Sequence, residues 1–201
     1  MQESLDFFIE KELPKEVLII MCGLPATVKT GIAEKVSKMK GYPVLSTDMI
    51  RREILDDVNI FDENIAGSYE IRKRVYIEMF KRAKEILQKD SGVILDATFV
   101  TQELRRQAAK IAYTYNNVFV ILQTVCSKEA SINRILKRDE EDYESNALTE
   151  AAYMNNVKIF EEINLGDLRF IYPTLKIIHI IINTELDNDF EWYIIKKEYM
   201  L

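Results

Sequence analysis

The sequence has little glycine and few side chains that bind metals through nitrogen or sulfur. Six glycines among 201 residues amount to about 3%, whereas about 7% is usual. One histidine, His179, and two widely separated cysteines, Cys22 and Cys126, do not provide the ligand spacing of a zinc site. Each cysteine lies in an apolar stretch, which indicates buried thiols in a reducing compartment rather than a disulfide framework.

Long apolar runs and an excess of basic charge are also missing. No uncharged apolar run reaches about 18 residues, so the sequence predicts no membrane span. Residues 1–16 mix acids and bases with apolar residues, unlike a signal peptide. Lys and Arg number 27 against 33 Asp and Glu, for a net charge of -6. This balance argues against non-specific nucleic-acid binding, although it is compatible with a local basic cleft. We therefore expect a cytoplasmic protein.

The remaining composition is typical of one globular α/β domain. With 48% hydrophobic and 30% charged residues, the 201 residues correspond to a single folded domain over 1–201. Short, continuous apolar runs are typical of strands covered on both faces, as in a parallel sheet. The sequence predicts five such strands, at Val17–Cys22, Pro43–Ser46, Val93–Asp96, Val118–Val125 and Leu175–Ile182.

Helical patterns lie between and after these strands. Apolar residues recur there at intervals of three to four, and Thr101 and Ser127 are suitable N-caps. The predicted helices are Lys29–Lys40, Ser68–Lys89, Thr101–Tyr115, Ser127–Arg138, Thr149–Leu165 and Asn188–Leu201. The repeated alternation predicts an open parallel sheet with helices on both faces. In such sheets, ligands bind beyond the carboxyl ends of the strands.

The first predicted strand leads into a phosphate-loop pattern. Gly23–Thr30 reads GLPATVKT and is compatible with G-x-x-x-x-G-K-[ST] at seven of its eight positions. In this pattern the backbone N–H groups face nucleotide phosphates, aided by the helix dipole. Lys29 is then the candidate contact for the β- and γ-phosphates, and Thr30 is the candidate Mg²⁺ ligand. The alternative is a plain strand-to-helix turn that ends in Lys-Thr.

Val28 replaces the second glycine of the pattern. Glycine is used where φ is positive or where the backbone must approach a ligand closely, and a β-branched residue at positive φ is an outlier. The sequence leaves two outcomes open: the loop stores strain of about 1–3 kcal/mol, or it relaxes to another shape. Because either outcome weakens ATP binding, we expect Val28→Gly to tighten it.

Two acidic residues follow the next two strands. Asp48 lies where a helix begins, so it is either an N-cap residue or a general base for an acceptor hydroxyl. Arg51 lies one turn further on the same face, where it could bind a polar or anionic part of the acceptor. Asp96 closes the third strand, a usual place for a carboxylate that organises Mg²⁺ beside a phosphate loop, although many strands end in Asp for turn reasons.

Two arginines and an acidic stretch follow the fourth strand. Arg134 and Arg138 share a helical face, where they form either a solvated basic surface or a guanidinium pair that neutralises a transferred phosphoryl group. Arg138–Asn146 is polar and acidic, as expected of a solvated loop or of a mobile lid at about 134–148.

Taken in order, these motifs resemble the phosphate-loop kinases of the polynucleotide-kinase and zeta-toxin type, which carry an AAA-type P-loop domain. The resemblance is carried by GLPATVKT at Gly23–Thr30, STDMIR at Ser46–Arg51, VILDATF at Val93–Phe99 and the R-x-x-x-R pair at Arg134–Arg138. The sequence departs from the family at Val28 and at Gly31, where Ser or Thr is usual.

The resemblance implies a P-loop NTPase fold, with an adenylate-kinase-like sheet of five parallel strands in the order 2-3-1-4-5. It implies ATP and Mg²⁺ as cosubstrates, with Thr30 and Asp96 as metal residues. The catalytic residues that it implies are Lys29, Asp48, Arg51, Arg134 and Arg138. The nucleotide-binding residues that it implies are Gly23, Leu24, Pro25, Ala26, Thr27, Val28, Lys29, Thr30, Gly31 and, near adenine, Asn183.

Three functions are compatible with these residues. The first is an ATP-dependent kinase that phosphorylates a hydroxyl of a small molecule, which the acidic net charge favours. The second is a 5′-hydroxyl polynucleotide kinase. The third is a nucleotide-binding protein whose catalysis is impaired or lost because of Val28. The sequence leaves the oligomeric state and the acceptor open.

Overall fold

A seven-stranded sheet forms the centre of the protein in the computed structural model, which describes residues 3–55, 69–89, 92–137 and 149–201. The strands are β1 (Glu3–Ser4), β2 (Val17–Cys22), β3 (Val44–Ser46), β4 (Gly92–Asp96), β5 (Val118–Val125), β6 (Ile177–Asn183) and β7 (Tyr193–Met200). The helices are α1 (Leu5–Phe7), α2 (Lys29–Lys40), α3 (Thr47–Ile54), α4 (Tyr69–Leu87), α5 (Gln102–Thr114), α6 (Lys128–Leu136), α7 (Glu150–Ile159) and α8 (Leu165–Ile171). A π-helical turn, Phe8–Glu12, continues α1.

The five predicted parallel strands are present in the predicted order. The sheet runs β3-β4-β2-β5-β6 through its parallel part, which is the order 2-3-1-4-5 of the prediction. Every residue of β2 and β4 is buried. Helices on both faces explain why these strands read as continuous apolar runs rather than as alternating ones.

Two antiparallel strands extend the sheet beyond β6, so the prediction of five strands was incomplete. β7 pairs with β6, and β1 pairs with β7. The helix predicted over Asn188–Leu201 is therefore wrong, because a 3₁₀ turn at Asp189–Glu191 precedes a strand. Tyr193, Ile194 and Ile195 favour strands, and their pairing satisfies backbone groups along the edge of β6.

The helix predicted over Thr149–Leu165 is also wrong, because α7 ends at Ile159 and α8 begins after Asn164. Between them, the carbonyl oxygens of Glu161 and Glu162 accept hydrogen bonds from the fully buried guanidinium of Arg105. In a continuous helix those carbonyls would accept bonds from the following turn. A tertiary contact has replaced the helical one.

The two faces of the sheet carry separate buried cores. On one face, α4, α5 and α8 pack against Leu18 and Ile20 of β2. On the other, α2 and the N-terminal segment pack against Ile19 and Met21. This packing places α2, and the loop before it, at the carboxyl edge of the sheet. Among the helices of the described ranges, none combines the length and the hydrophobicity needed to cross a bilayer.

Candidate active site

The carboxyl ends of the central strands bring the predicted motifs together. Ser46 and Asp96 are register partners at the ends of β3 and β4. β2 lies between β4 and β5 and leads through Cys22 into the loop Gly23–Thr30. Strand order, rather than closeness in sequence, therefore places the phosphate loop near Asp48, which follows β3, and Asp96, which ends β4.

Gly23 begins the loop in a conformation that only glycine adopts readily, with φ at +147°. A Cβ at this position would lie 2.6 Å from the carbonyl oxygen of Thr124 and 2.7 Å from its Oγ1. The hydroxyls of Thr27 and Thr124 lie 2.6 Å apart and share a hydrogen bond. The loop is thus packed directly on β5, through a threonine that the motif does not include.

Val28 retains the backbone that the missing glycine would adopt. Its φ and ψ are 61° and 31°, in the left-handed region, and Ala26 also has a positive φ of 60°. Of the two outcomes that the sequence left open, the loop has the strained one. Left-handed residues within a tight loop help turn successive N–H groups toward a common point, which makes an anion-binding concavity. The loop therefore combines backbone strain with a shape suited to phosphate.

Side chains hold three carbonyl groups of the loop. Leu24 O accepts a hydrogen bond from Lys29 Nζ at 2.6 Å, Ala26 O from Arg134 Nη1 at 3.2 Å, and Thr27 O from Thr184 Oγ1 at 3.1 Å. Because the C=O and N–H of one peptide unit point in opposite directions, holding the carbonyls constrains where the N–H groups point. Pro25, which has no N–H, is buried within the same turn.

Thr30 and Asp96 form the pair predicted to organise a metal ion. Thr30 Oγ1 donates to Asp96 Oδ2 at 2.7 Å, and Asp96 is 5% exposed. Burial raises the pKa of the Asp96 carboxyl, against the opposing effects of the Thr30 hydrogen bond and the Lys29 charge. Asp48 and Glu34 add to the upward shift. A cation bound here would favour the ionised carboxylate that burial disfavours.

Asp48 and Arg51 lie on one face of α3, as predicted. Arg51 Nη1 donates to Asp48 Oδ1 at 3.2 Å. The Arg51 guanidinium is largely buried, and its Nε has no hydrogen-bond partner among the described residues. Burial lowers the pKa of Arg51, and the nearby Arg72 adds to this effect. Asp48 does not serve as the N-cap, because the cap is Ser46, whose side chain accepts a hydrogen bond from Asp48 N.

A pocket of about 300 Å³ opens between α2, α3 and the ends of β3 and β4. It brings together three carboxylates, those of Glu34, Asp48 and Asp96, with the guanidinium-bearing Arg52 and the Thr30 hydroxyl. Arg52, and not the predicted Arg51, is among the described lining residues. Across the described ranges, no three His, Cys, Asp or Glu side chains converge as a complete metal site.

Arg134 lies between the phosphate loop and the segment after β6. Besides Ala26 O, its guanidinium donates to Thr184 O and Glu185 O and pairs with Asp187 at 2.7 Å. Its side chain is 12% exposed, so it is not the solvated basic surface that was one interpretation of the sequence. Arg138 and most of the predicted lid at 134–148 lie outside the described residues.

Asn183 ends β6 beside the same segment. Its Oδ1 accepts a hydrogen bond from the backbone N–H of Glu185 at 2.9 Å and so shapes the turn that follows the strand. The next residue, Thr184, is fully buried and reaches the loop directly. The segment after β6 thus contacts the phosphate loop through Thr184, and the position of Asn183 near adenine stays a prediction.

Sequence reasoning missed four residues of this site, for different reasons. Glu34 was accessible from the sequence, because it lies one helical turn after Thr30. Arg52 required knowledge of how α3 is rotated. Thr124 and Trp192 contact the loop or the first turn of α2 from distant parts of the chain, and no local pattern marks them.

The sequence profile of the AAA_33 family, described as an AAA domain, matches residues 18–163. Uncharacterized proteins of Mycobacterium bovis and Mycobacterium tuberculosis are each 26% identical over 127 residues, which is 60% of this chain and 25% of the relative. The chain thus spans about a quarter of the length of the curated relatives that it matches.

Solved structures of kinases share the fold. A candidate kinase of Chloroflexus aurantiacus has a TM-score of 0.65 and 17% identity, covering 86% of this chain and 90% of that one. A gluconokinase of Sinorhizobium meliloti has a TM-score of 0.59 and 14% identity, covering 87% and 86%. Kti12 of Chaetomium thermophilum, solved with ADP-AlF3, has a TM-score of 0.54 and 24% identity, covering 73% and 81%. At these identities the likeness shows the fold.

Proposed function

The chain belongs to the AAA_33 family of P-loop domains, and from that premise we propose that it is a Mg²⁺- and ATP-dependent kinase of a small hydroxylated molecule. The observation that carries the proposal is the pocket itself. It holds Thr30 at the end of the phosphate loop, Asp96 at the end of β4 and Asp48 at the start of α3 within one space. A nucleotide whose phosphates occupy the loop would then have its phosphate end on the same side of the sheet as Asp48, the candidate base.

Nucleotide binding rests on the loop and on the family. The left-handed residues Ala26 and Val28, and the start of α2 at Lys29, suit the phosphates of ATP. Lys29 binds the β- and γ-phosphates, for which it exchanges its hydrogen bond to Leu24 O. The similarity to Kti12, which was solved with ADP-AlF3, supports nucleotide binding by this fold. Asn183 and Thr184 then lie toward the base.

Thr30 and Asp96 fit a magnesium ion. Magnesium prefers oxygen ligands and commonly uses one or two carboxylates together with substrate phosphates. A hydroxyl and a carboxylate oxygen 2.7 Å apart, with Asp48 and Glu34 close by, provide that chemistry. When bound, the ion offsets negative charge on the phosphate oxygens during transfer.

Asp48 takes the proton of the acceptor hydroxyl. The acceptor oxygen forms a bond to the γ-phosphorus, and the bond between the γ-phosphorus and the β–γ bridging oxygen breaks with its electron pair leaving on ADP. Arg51 holds the Asp48 carboxylate in place through its Nη1, and Lys29 binds the phosphate oxygens. Arg134 of α6, and Arg138, which lies outside the described residues, remain the candidates that neutralise the transferred group.

The pocket favours a small acceptor over a nucleic-acid end. Three carboxylates against one guanidinium among its described lining residues repel a phosphodiester backbone. Its volume of about 300 Å³ is at the small end of ligand pockets. Hydroxyl groups of a polyol or sugar can donate to these carboxylates, and the Arg52 guanidinium can donate to the hydroxyl oxygens.

A transfer assay tests the proposal. The protein is incubated with Mg²⁺ and ATP labelled in the γ-phosphate, together with sugars, polyols, sugar acids or a 5′-hydroxyl oligonucleotide. We expect label on one class of small acceptor. Lys29→Ala should abolish transfer, and Asp48→Asn should lower kcat by about 10²- to 10⁴-fold. Lys38→Ala on the exposed part of α2 and Asp167→Asn on α8 are the matched controls.

The other outcomes separate the alternatives. Label on the oligonucleotide alone would establish the polynucleotide kinase instead. Tight ATP binding without transfer to any acceptor, and without ATP hydrolysis, would favour a nucleotide-binding protein that has lost catalysis. Unchanged transfer by Lys29→Ala would refute the role of the phosphate loop.

A further inference from the structure

Trp192, the only tryptophan of the chain, lies against the first turn of α2. It precedes β7, far in sequence from the phosphate loop, and it is 7% exposed. Its Nε1 donates to Leu186 O at 2.9 Å, which fixes the orientation of the indole. A large, oriented and buried ring therefore packs where the phosphate loop becomes a helix.

Gly31 lies close to both the Val28 side chain and the Trp192 indole. A Cβ at position 31 would lie 3.1 Å from Val28 Cγ1 and 3.2 Å from Trp192 Cη2. Both distances are shorter than ordinary carbon–carbon contacts of about 3.5–4.0 Å. Gly31 has no positive φ, so its backbone does not require glycine. The absence of a side chain is explained instead by the room that Val28 and the indole take up.

Val28 needs such packing because its backbone is strained. The left-handed conformation of a β-branched residue persists only where surrounding structure enforces it. Val28 packs against the buried core that contains Trp192, Ile32 and Val36. Packing against this core therefore restrains the Val28 side chain directly.

We propose that Trp192 is a positioning residue of the phosphate loop, which with Gly31 holds Val28 in its left-handed conformation. The two departures from the phosphate-loop pattern, Val28 and Gly31, then form one structural unit with the C-terminal segment. The expected effect of Trp192 on nucleotide binding rests on the proposed function, whereas its expected effect on the shape of the loop is independent of that function.

The first test follows nucleotide affinity by calorimetry with ATP and Mg²⁺. Trp192→Ala should weaken ATP binding about tenfold, which corresponds to about 1.4 kcal/mol. In a Val28→Gly background the same substitution should have little effect, because glycine holds the left-handed conformation without support. This rescue distinguishes positioning from general destabilisation, which would weaken binding in both backgrounds. Phe190→Ala, an exposed aromatic two residues away, is the matched control.

The second test needs no nucleotide. Hydrogen exchange of the peptide covering residues 23–31 should become faster in Trp192→Phe and in Gly31→Ala, and it should be less affected when either is combined with Val28→Gly. Trp192→Phe and Gly31→Ala also serve if Trp192→Ala does not fold. Exchange that is unchanged in both variants, or raised equally with and without Val28→Gly, would overturn the inference. A parent protein that fails to bind ATP would refute the proposed function and leave this second test decisive.

Discussion

Val28→Gly should remove the backbone strain that the left-handed conformation of Val28 imposes on the phosphate loop. A left-handed backbone costs an L-residue about 1–2 kcal/mol, and Val28 has that backbone at φ 61°. Burying a whole valine side chain contributes about 1.5–3 kcal/mol, so the partly buried Val28 contributes about 1 kcal/mol. Glycine also loses about 0.5–1 kcal/mol through the greater freedom of the unfolded chain. These terms nearly cancel, and we expect Val28→Gly to be close to the parent in stability.

Val28→Ala isolates the strain. Alanine loses the methyl packing but keeps the Cβ, so the strain remains and the protein loses about 1 kcal/mol. At position 28, Gly should therefore be at least as stable as Ala, by about 0.5–1 kcal/mol or 2–3 °C in Tm. At Lys38, an exposed position of ordinary helical backbone in α2, the order should reverse, with Ala more stable than Gly by about 1 kcal/mol.

The assay is thermal and urea unfolding of the Gly and Ala variants at positions 28 and 38. The ATP affinity of each variant is measured alongside. The same measurement tests the tighter ATP binding that the sequence leads us to expect of Val28→Gly. If Ala were clearly more stable than Gly at position 28, as at Lys38, the strain argument would be wrong.

Three further predictions concern other residues of the fold and site. Asp96→Asn should raise Tm at pH 7, because burial raises the pKa of this carboxyl, and a carboxyl whose pKa is higher in the folded protein destabilises the fold above its unfolded pKa. The gain should shrink as the pH falls toward about 4, and a pH-independent difference would contradict this. Arg134→Lys should weaken ATP binding and speed hydrogen exchange in residues 184–188, since one ammonium cannot reach Ala26 O, Thr184 O and Asp187 together, whereas Lys137→Ala should change neither. Arg105→Lys should lower the urea-unfolding free energy by about 3 kcal/mol or more, because one ammonium cannot replace the bonds of this fully buried guanidinium to the carbonyl oxygens of Phe99, Glu161 and Glu162, and a loss no larger than that of the partly exposed Arg106→Lys would refute this.

The phosphate loop and the parallel strands were predictable because their signals are local. β2 reads as an uninterrupted apolar run, since both of its faces are buried, and the loop GLPATVKT follows it directly. The N-caps Thr101 and Ser127 were also readable, and each accepts a hydrogen bond from the backbone N–H three residues later. Structural features that depend on residues close together in the chain can therefore be predicted from the sequence.

The C-terminal strand and the interruption after α7 were not predictable in this way. β7 forms because β6 has an edge to pair with, and the carbonyls of Glu161 and Glu162 turn away from a helix because Arg105 is buried beside them. In both cases the competing interaction comes from a distant part of the chain. Local preference for a helix then loses to a tertiary contact.

By itself, the sequence determined the phosphate-loop fold of this protein, through the apolar strand Val17–Cys22, the loop Gly23–Thr30 after it and the succession of strands that follows. Only the tertiary structure decided how Val28 is accommodated. The sequence showed a missing glycine, but not whether the loop relaxes or stays strained. The answer depends on Gly31 and on an indole some 160 residues away, whose packing energy no local pattern reveals.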